Sequence, residues 1–125
     1  MAKEYLDKLS VLIDKTTSGR FKNIRLEGKH FFSGAAMYAD DRICISLTPV
    51  GFAIKLPEAT RNVLLRNGEA KPLRYFSKGP IKKEYVVLPE MTVRDINVLK
   101  KSVNKSIEYV LSLPKAKKGK AQIDK

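Results

Sequence analysis

The one histidine, His30, and the one cysteine, Cys44, are the residues best suited to nucleophilic chemistry in this sequence. A thiol attacks as its thiolate, which needs a base or a positive neighbour to form near neutral pH. Cys44 stands fourteen residues beyond His30, across a turn, and it alternates with Ile43 and Ile45. That alternation assigns it to the opposite face of its strand from the two isoleucines. A Cys–His couple would need neighbouring strands to bring the two together, and a packed or half-exposed thiol is the simpler expectation. A zinc site needs three or four Cys, His or carboxylate ligands at suitable spacing, and the sequence offers no such set. Asp40-Asp41 could hold a cation, but adjacent aspartates between two apolar runs read as a turn. Walker, Rossmann, kinase and hydrolase signatures are all missing. The expectation is a non-catalytic protein with no cofactor, no metal and no small-molecule substrate.

Binding chemistry is better represented. Lys71, Arg74, Lys78, Lys82 and Lys83 surround Tyr75, Phe76 and Tyr85. Cations interleaved with aromatic rings can contact phosphates and stack on bases. The alternative for the same stretch is a solvated hairpin whose aromatics face the core. Lys+Arg 25 against Asp+Glu 13 gives the chain +12, and the segment from Pro114 onward holds five lysines and one aspartate, leaving +8 on the body. A basic body points to an acidic partner: a nucleic acid bound without sequence preference, or an acidic protein. The expected surface comprises Arg74, Lys78, Lys82 and Lys83 together with Lys101 and Lys105, which share the outer stripe of a late helix. A self-associating protein-interaction module, with a homodimer as its simplest form, is the rival class.

The elements that must position these residues follow from periodicity. Tyr5, Leu6, Leu9, Leu12 and Ile13 recur at helical steps, and Gly19 can close that helix. Ile24 and Leu26 alternate with polar residues as a short strand. Phe31-Phe32 lead through Ser33-Gly34 into a strand over Ala35–Tyr38, and Asp40-Asp41 turn the chain. Ile43, Ile45 and Leu47, then Phe52, Ile54 and Leu56, form a hairpin with one buried face around Thr48-Pro49-Val50-Gly51. PEATRNVLLRN reads as a helix entered by Pro57 and left at Gly68. Leu73–Phe76 and Glu84–Leu88 are expected to pair as strands across a turn at Gly79-Pro80. After Pro89, Thr92 and Asp95 can cap a last helix with the stripe Ile96, Leu99, Val103, Ile107 and Val110. That stripe is expected to face the first hairpin, forming the centre of the core. The small residues Ser33-Gly34 precede a strand and no helix, which excludes a phosphate loop. They imply a bulge or a close backbone approach.

At 125 residues the chain is one domain able to bury a core without disulfides. No apolar run is long enough to cross a bilayer. The opening MAKEYLDKLS is too charged for a signal peptide, so a cytoplasmic setting and no membrane contact are expected. The absence of strand–helix–strand alternation favours an antiparallel sheet with helices laid on it.

Several motifs fall in an order that resembles the TfoX N-terminal domain family of TfoX/Sxy-type competence regulators. They are FFSGAAMYADDR, a hairpin ending FAIKL, then YVVLP, and a helix ending SLP. Phe32, Gly34, Tyr38 and Asp41 match the family's Met-Phe-Gly-Gly, tyrosine and aspartate-turn positions. Lys55 matches at the hairpin end, and Tyr85 and Pro89 match after the second turn. Phe31 stands where the family has methionine, and Ser33 where it has the first glycine. The similarity extends over about residues 1–114, with 115–125 expected as a basic, disordered tail. It implies an α+β, two-layer fold: an antiparallel sheet of about five strands packed with helices in α-β(3)-α-β(2)-α order, related to secretion-chaperone-like and YjbR-like folds. It implies a regulatory or adaptor role without catalysis. The second domain of full-length regulators of this type is expected to be missing, so that competence regulation carries over poorly.

Overall fold

The structure, a computed structural model, describes residues 2–114; the tail expected over 115–125 lies outside the described residues. A first helix, α1 (Ala2–Thr17), is followed by four strands, β1 (Leu26–Phe31), β2 (Gly34–Ala39), β3 (Arg42–Thr48) and β4 (Gly51–Lys55). Then come α2 (Glu58–Arg66), β5 (Lys71–Pro72), β6 (Tyr85–Leu88), α3 (Glu90–Arg94) and α4 (Ile96–Ser112). All strands join one antiparallel sheet in the order β1-β2-β3-β4-β6-β5. The expected α+β class and two-layer packing hold. The count is six strands, not about five, and four of them precede α2. The chain reverses in two residues at Phe32-Ser33, so that Phe31 opposes Gly34 and β1 and β2 are separate strands of one hairpin.

The turns follow local chemistry. Asp40 and Asp41 both have positive φ, 49° and 68°, the conformation a two-residue hairpin requires and aspartate tolerates. Asp40 Oδ1 accepts from the Arg25 backbone N–H at 2.9 Å, and Asp41 Oδ1 accepts from Arg25 Nη2 at 2.8 Å. Gly34 answers the question raised by its small neighbours. A Cβ there would lie 2.1 Å from the Leu47 carbonyl oxygen, so β2 and β3 approach closely only because position 34 has no side chain.

The helical layer covers one face of the sheet. Leu9 and Ile13 of α1 and Leu99, Val103, Ile107 and Val110 of α4 pack on Met37, Ile45, Leu47, Phe52, Ile54, Val86 and Leu88. One polar side chain ties α1 to α4 inside this layer while bonding its own helix. Asn104 Nδ2 donates to the Thr16 carbonyl at 3.1 Å and to the Lys100 carbonyl at 2.7 Å. Ser106 Oγ ties α4 to the sheet by donating to the Cys44 carbonyl at 3.3 Å.

Five expectations need correction. The last helix is broken in two, because Asp95 is extended and its carboxylate accepts from the Asn97 and Val98 amides; Asp95 alone is the cap. Ile96 lies in the first turn of α4 and is exposed rather than buried. Leu73–Phe76 is not a strand, since β5 ends at Pro72 and the chain leaves the ladder there. The hairpin β3–β4 is buried on both faces, with Ser46 and Ala53 fully covered. A bulge explains Cys44: Met37 opposes Ile45 but Tyr38 opposes Ile43. The extra residue turns the thiol into the helical core, while Ile43 is left half-buried.

Candidate functional site

Among the described residues, no helix is laid on the second face of the sheet. Alternation along β2, β3, β4 and β6 sends Ala36, Tyr38, Ser46, Ala53, Lys55, Tyr85 and Val87 to this side, since Met37, Ile45, Ile54, Val86 and Leu88 belong to the helical core. Residues 73–84 roof it as an arm. The arm closes on itself through the Lys82 amide donating to the Leu73 carbonyl at 2.9 Å and the Gly79 amide donating to the Phe76 carbonyl at 2.9 Å. Leu73 is fully buried under it. Tyr75 anchors it, because its hydroxyl shares a 3.0 Å hydrogen bond with Ser46 Oγ.

Around that anchor stand four aromatic rings from two distant segments. Phe31 ends β1 and Phe32 follows it in the β1–β2 turn, while Tyr75 and Phe76 come from the arm. Ring centroids lie 4.5 Å apart for Phe31–Phe32, 5.7 Å for Phe31–Tyr75, 5.0 Å for Phe32–Tyr75 and 6.4 Å for Phe32–Phe76. All are within the range of favourable edge or tilted contact. Phe32 and Phe76 remain 67% exposed. Beneath them, burial raises the hydroxyl pKa of Tyr38, Tyr75 and Tyr85; the Ser46 hydrogen bond partly offsets this for Tyr75, and the nearby Tyr75 and Glu84 add to it for Tyr85. All three phenols therefore stay neutral at physiological pH.

The cations sort into two groups. Arg74, Lys78, Lys82 and Lys83 lie on the arm, with Lys71 just before it, and this stretch contains no acidic residue. Arg74 Nη1 donates to the Gly79 carbonyl at 3.1 Å and stiffens the arm's turn. Among the described residues, Lys71, Lys78, Lys82 and Lys83 form no ion pair. Lys101 and Lys105 are exposed on α4, whose other side packs on β3 and β4. The sheet therefore lies between them and the arm, and the six expected positions do not converge on one surface. Helical periodicity placed Lys101 and Lys105 opposite their own apolar stripe, but it carries no information about which face of the sheet that stripe covers.

The candidates for catalysis also separate. Cys44 is sealed in the core, its Sγ donating to the Met37 carbonyl at 3.3 Å. Burial pushes the thiol pKa up to about 12, although Lys55 and the Ile45 amide pull the other way. His30 is exposed on edge strand β1, opposite Ala35, which in turn opposes Leu47. Strand spacing and rise put its Cα roughly 14 Å from that of Cys44. Among the described residues no three His, Cys, Asp or Glu side chains are grouped to hold a metal. Two shallow clefts lie on the helical side, about 110 Å³ between α1 and β1 and about 510 Å³ between α1 and the α3–α4 break. Neither borders the arm.

With this geometry in view, comparison with known families matches residues 22–110 to the TfoX N-terminal domain. The chain belongs to the TfoX N-terminal domain family. No curated protein matches it. The positions that carried the resemblance now have physical roles in this TfoX N-terminal domain. Gly34 permits the β2–β3 approach, Asp41 forms the turn, and Pro89 ends β6 at the start of α3. Phe32, Tyr38, Lys55 and Tyr85 belong to the arm-covered side. Lys55 Nζ lies 3.4 Å from Glu84 Oε1 and over the Tyr85 ring, and Lys29 Nζ lies 5.0 Å from the Tyr38 ring centroid. Sequence reasoning missed that Phe31 and Phe32 join Tyr75 and Phe76. The available signal was a phenylalanine where a two-residue turn ordinarily takes glycine, asparagine or aspartate. Helix α1 precedes the matched range yet packs on β1, β2 and α4, so the folded unit extends beyond it. No helix among the described residues is long and apolar enough to cross a membrane.

Proposed function

We propose that this TfoX N-terminal domain is a non-catalytic regulatory or adaptor module that contacts nucleic acid through the arm on the outer face of its sheet. One observation carries the reading: the stretch Lys71–Lys83 holds five cations and no acid, and its four lysines are unpaired among the described residues. Lysines presented without partners suit phosphate contact, which releases counterions and needs no sequence code. The buried, protonated thiol supports the absence of catalysis and fits a reducing cytoplasm. Lys101 and Lys105 stand apart from the arm, on the helical layer.

Fluorescence anisotropy of a labelled oligonucleotide against rising salt tests this. The dissociation constant should be roughly 10⁻⁴–10⁻⁶ M at physiological salt, weakening steeply as salt rises. Reversing Lys82 and Lys83 to glutamate should weaken binding and flatten the salt slope. Absence of binding at low salt, with a dimer in sedimentation, would assign the domain to self-association instead.

A further inference from the structure

The exposed rings on the arm-covered face have a use that lysine–phosphate contact leaves unassigned. Phe32 has φ 51°, a backbone region that bulky residues rarely enter. Strain of this kind persists where surrounding structure over-determines it, often at binding sites. Here the structure holds an apolar ring 67% exposed on a disfavoured backbone, 6.4 Å from a second ring exposed to the same degree. The pair is not a loose tip. Phe32 packs on Phe31 and Tyr75, Tyr75 is hydrogen-bonded to the buried Ser46, and the Gly79 amide donates to the Phe76 carbonyl at 2.9 Å, fixing the backbone that carries the Phe76 ring. Two preset aromatic faces, one from the β1–β2 turn and one from the arm, therefore stand next to a stretch, Lys71–Lys83, that carries Arg74 and Lys78 and no acidic residue.

Resting on the nucleic-acid reading above, we infer that Phe32 and Phe76 form a stacking platform that makes the domain select single strands over duplex. The reason is geometric. Unpaired bases offer a free face to a ring, whereas duplex bases are already stacked on one another. Phosphates are present in both forms, so the lysines alone give no such preference. The local positive charge favours a polyanion over a neutral apolar partner for the two rings.

The test compares binding of labelled oligothymidylate with a dA–dT duplex of equal length, at low salt. The intact protein should prefer the single strand. Phe76→Ala and Phe32→Ala should each weaken single-strand binding about fivefold or more and leave duplex binding unchanged. Phe76→Leu, which keeps an apolar surface but removes the ring face, should lose as much as the alanine variant. Both side chains are largely exposed, and circular dichroism confirms folding of each variant. Lys82→Glu with Lys83→Glu should weaken both ligands. Equal affinity for the two forms, or a Phe76→Leu variant that binds as the intact protein does, overturns the stacking platform while leaving the phosphate-contact reading intact. Absence of binding to either form overturns both.

Discussion

One face of the sheet is sealed by helices and the other is roofed by an arm, and the two covers are built from different chemistry. The helical side presents Leu9, Ile13, Leu99, Val103, Ile107 and Val110 to a continuous aliphatic surface, with Asn104 and Ser106 bonding backbone carbonyls where they are buried. The outer side has alanines and a serine against the sheet, neutral tyrosines above them, and exposed rings and lysines outermost. Aliphatic burial scales with area and stabilises the whole domain. A polar anchor under an exposed surface contributes less to stability and leaves groups free for a ligand. The comparison implies that stability and binding can be altered independently, by mutating opposite faces.

The largest effects should come from the helical face. Ile54→Ala and Leu99→Ala remove fully buried side chains and should each cost ~2–5 kcal/mol, read from urea midpoints at constant m-value. Gly34→Ala places a methyl group against the Leu47 carbonyl and should cost about 3 kcal/mol, because backbone atoms must move. Alkaline pH provides a third probe. The Cys44 pKa rises from 9.0 to about 12 on folding, so the unfolded chain ionises first. Its contribution to stability is therefore present below pH 9 and is lost as pH rises towards 12. Cys44→Ala should reduce that alkaline loss, with burial of Tyr85, Tyr75 and Tyr38 contributing in the same direction. On the outer face, Tyr75→Phe removes the bond to Ser46 and should cost only about 1 kcal/mol. Lys101→Ala, at an exposed position on α4, should stay within about 0.5 kcal/mol of the parent. A Tyr75→Phe loss as large as that of Ile54→Ala would erase the distinction between the faces.

Much of the helical side was legible in the sequence because its signals are local. The α4 stripe, the Asp40-Asp41 turn, the β3–β4 pairing and the tight approach at Gly34 each depend on spacing or residue type within a few positions. The outer side was far less legible, for three physical reasons. A one-residue bulge opposite Tyr38 moved Cys44 into the core, and periodicity assumes no such insertion. Tyr75 left the ladder to bond Ser46, a pairing 29 residues apart that no local pattern encodes. Lys101 and Lys105 were placed correctly around their helix, yet the face of the sheet that the helix covers is a tertiary outcome.

The most direct test of the division between faces is an amide-resolved NMR titration of the full chain with oligothymidylate at low salt. Shifts should concentrate at Phe32, Ser33 and the stretch from Lys71 to Lys83, while Leu99–Val110 in the helical layer stays unperturbed. Shifts centred on Lys101 and Lys105, with the arm silent, would contradict the assignment of binding to the arm-covered face.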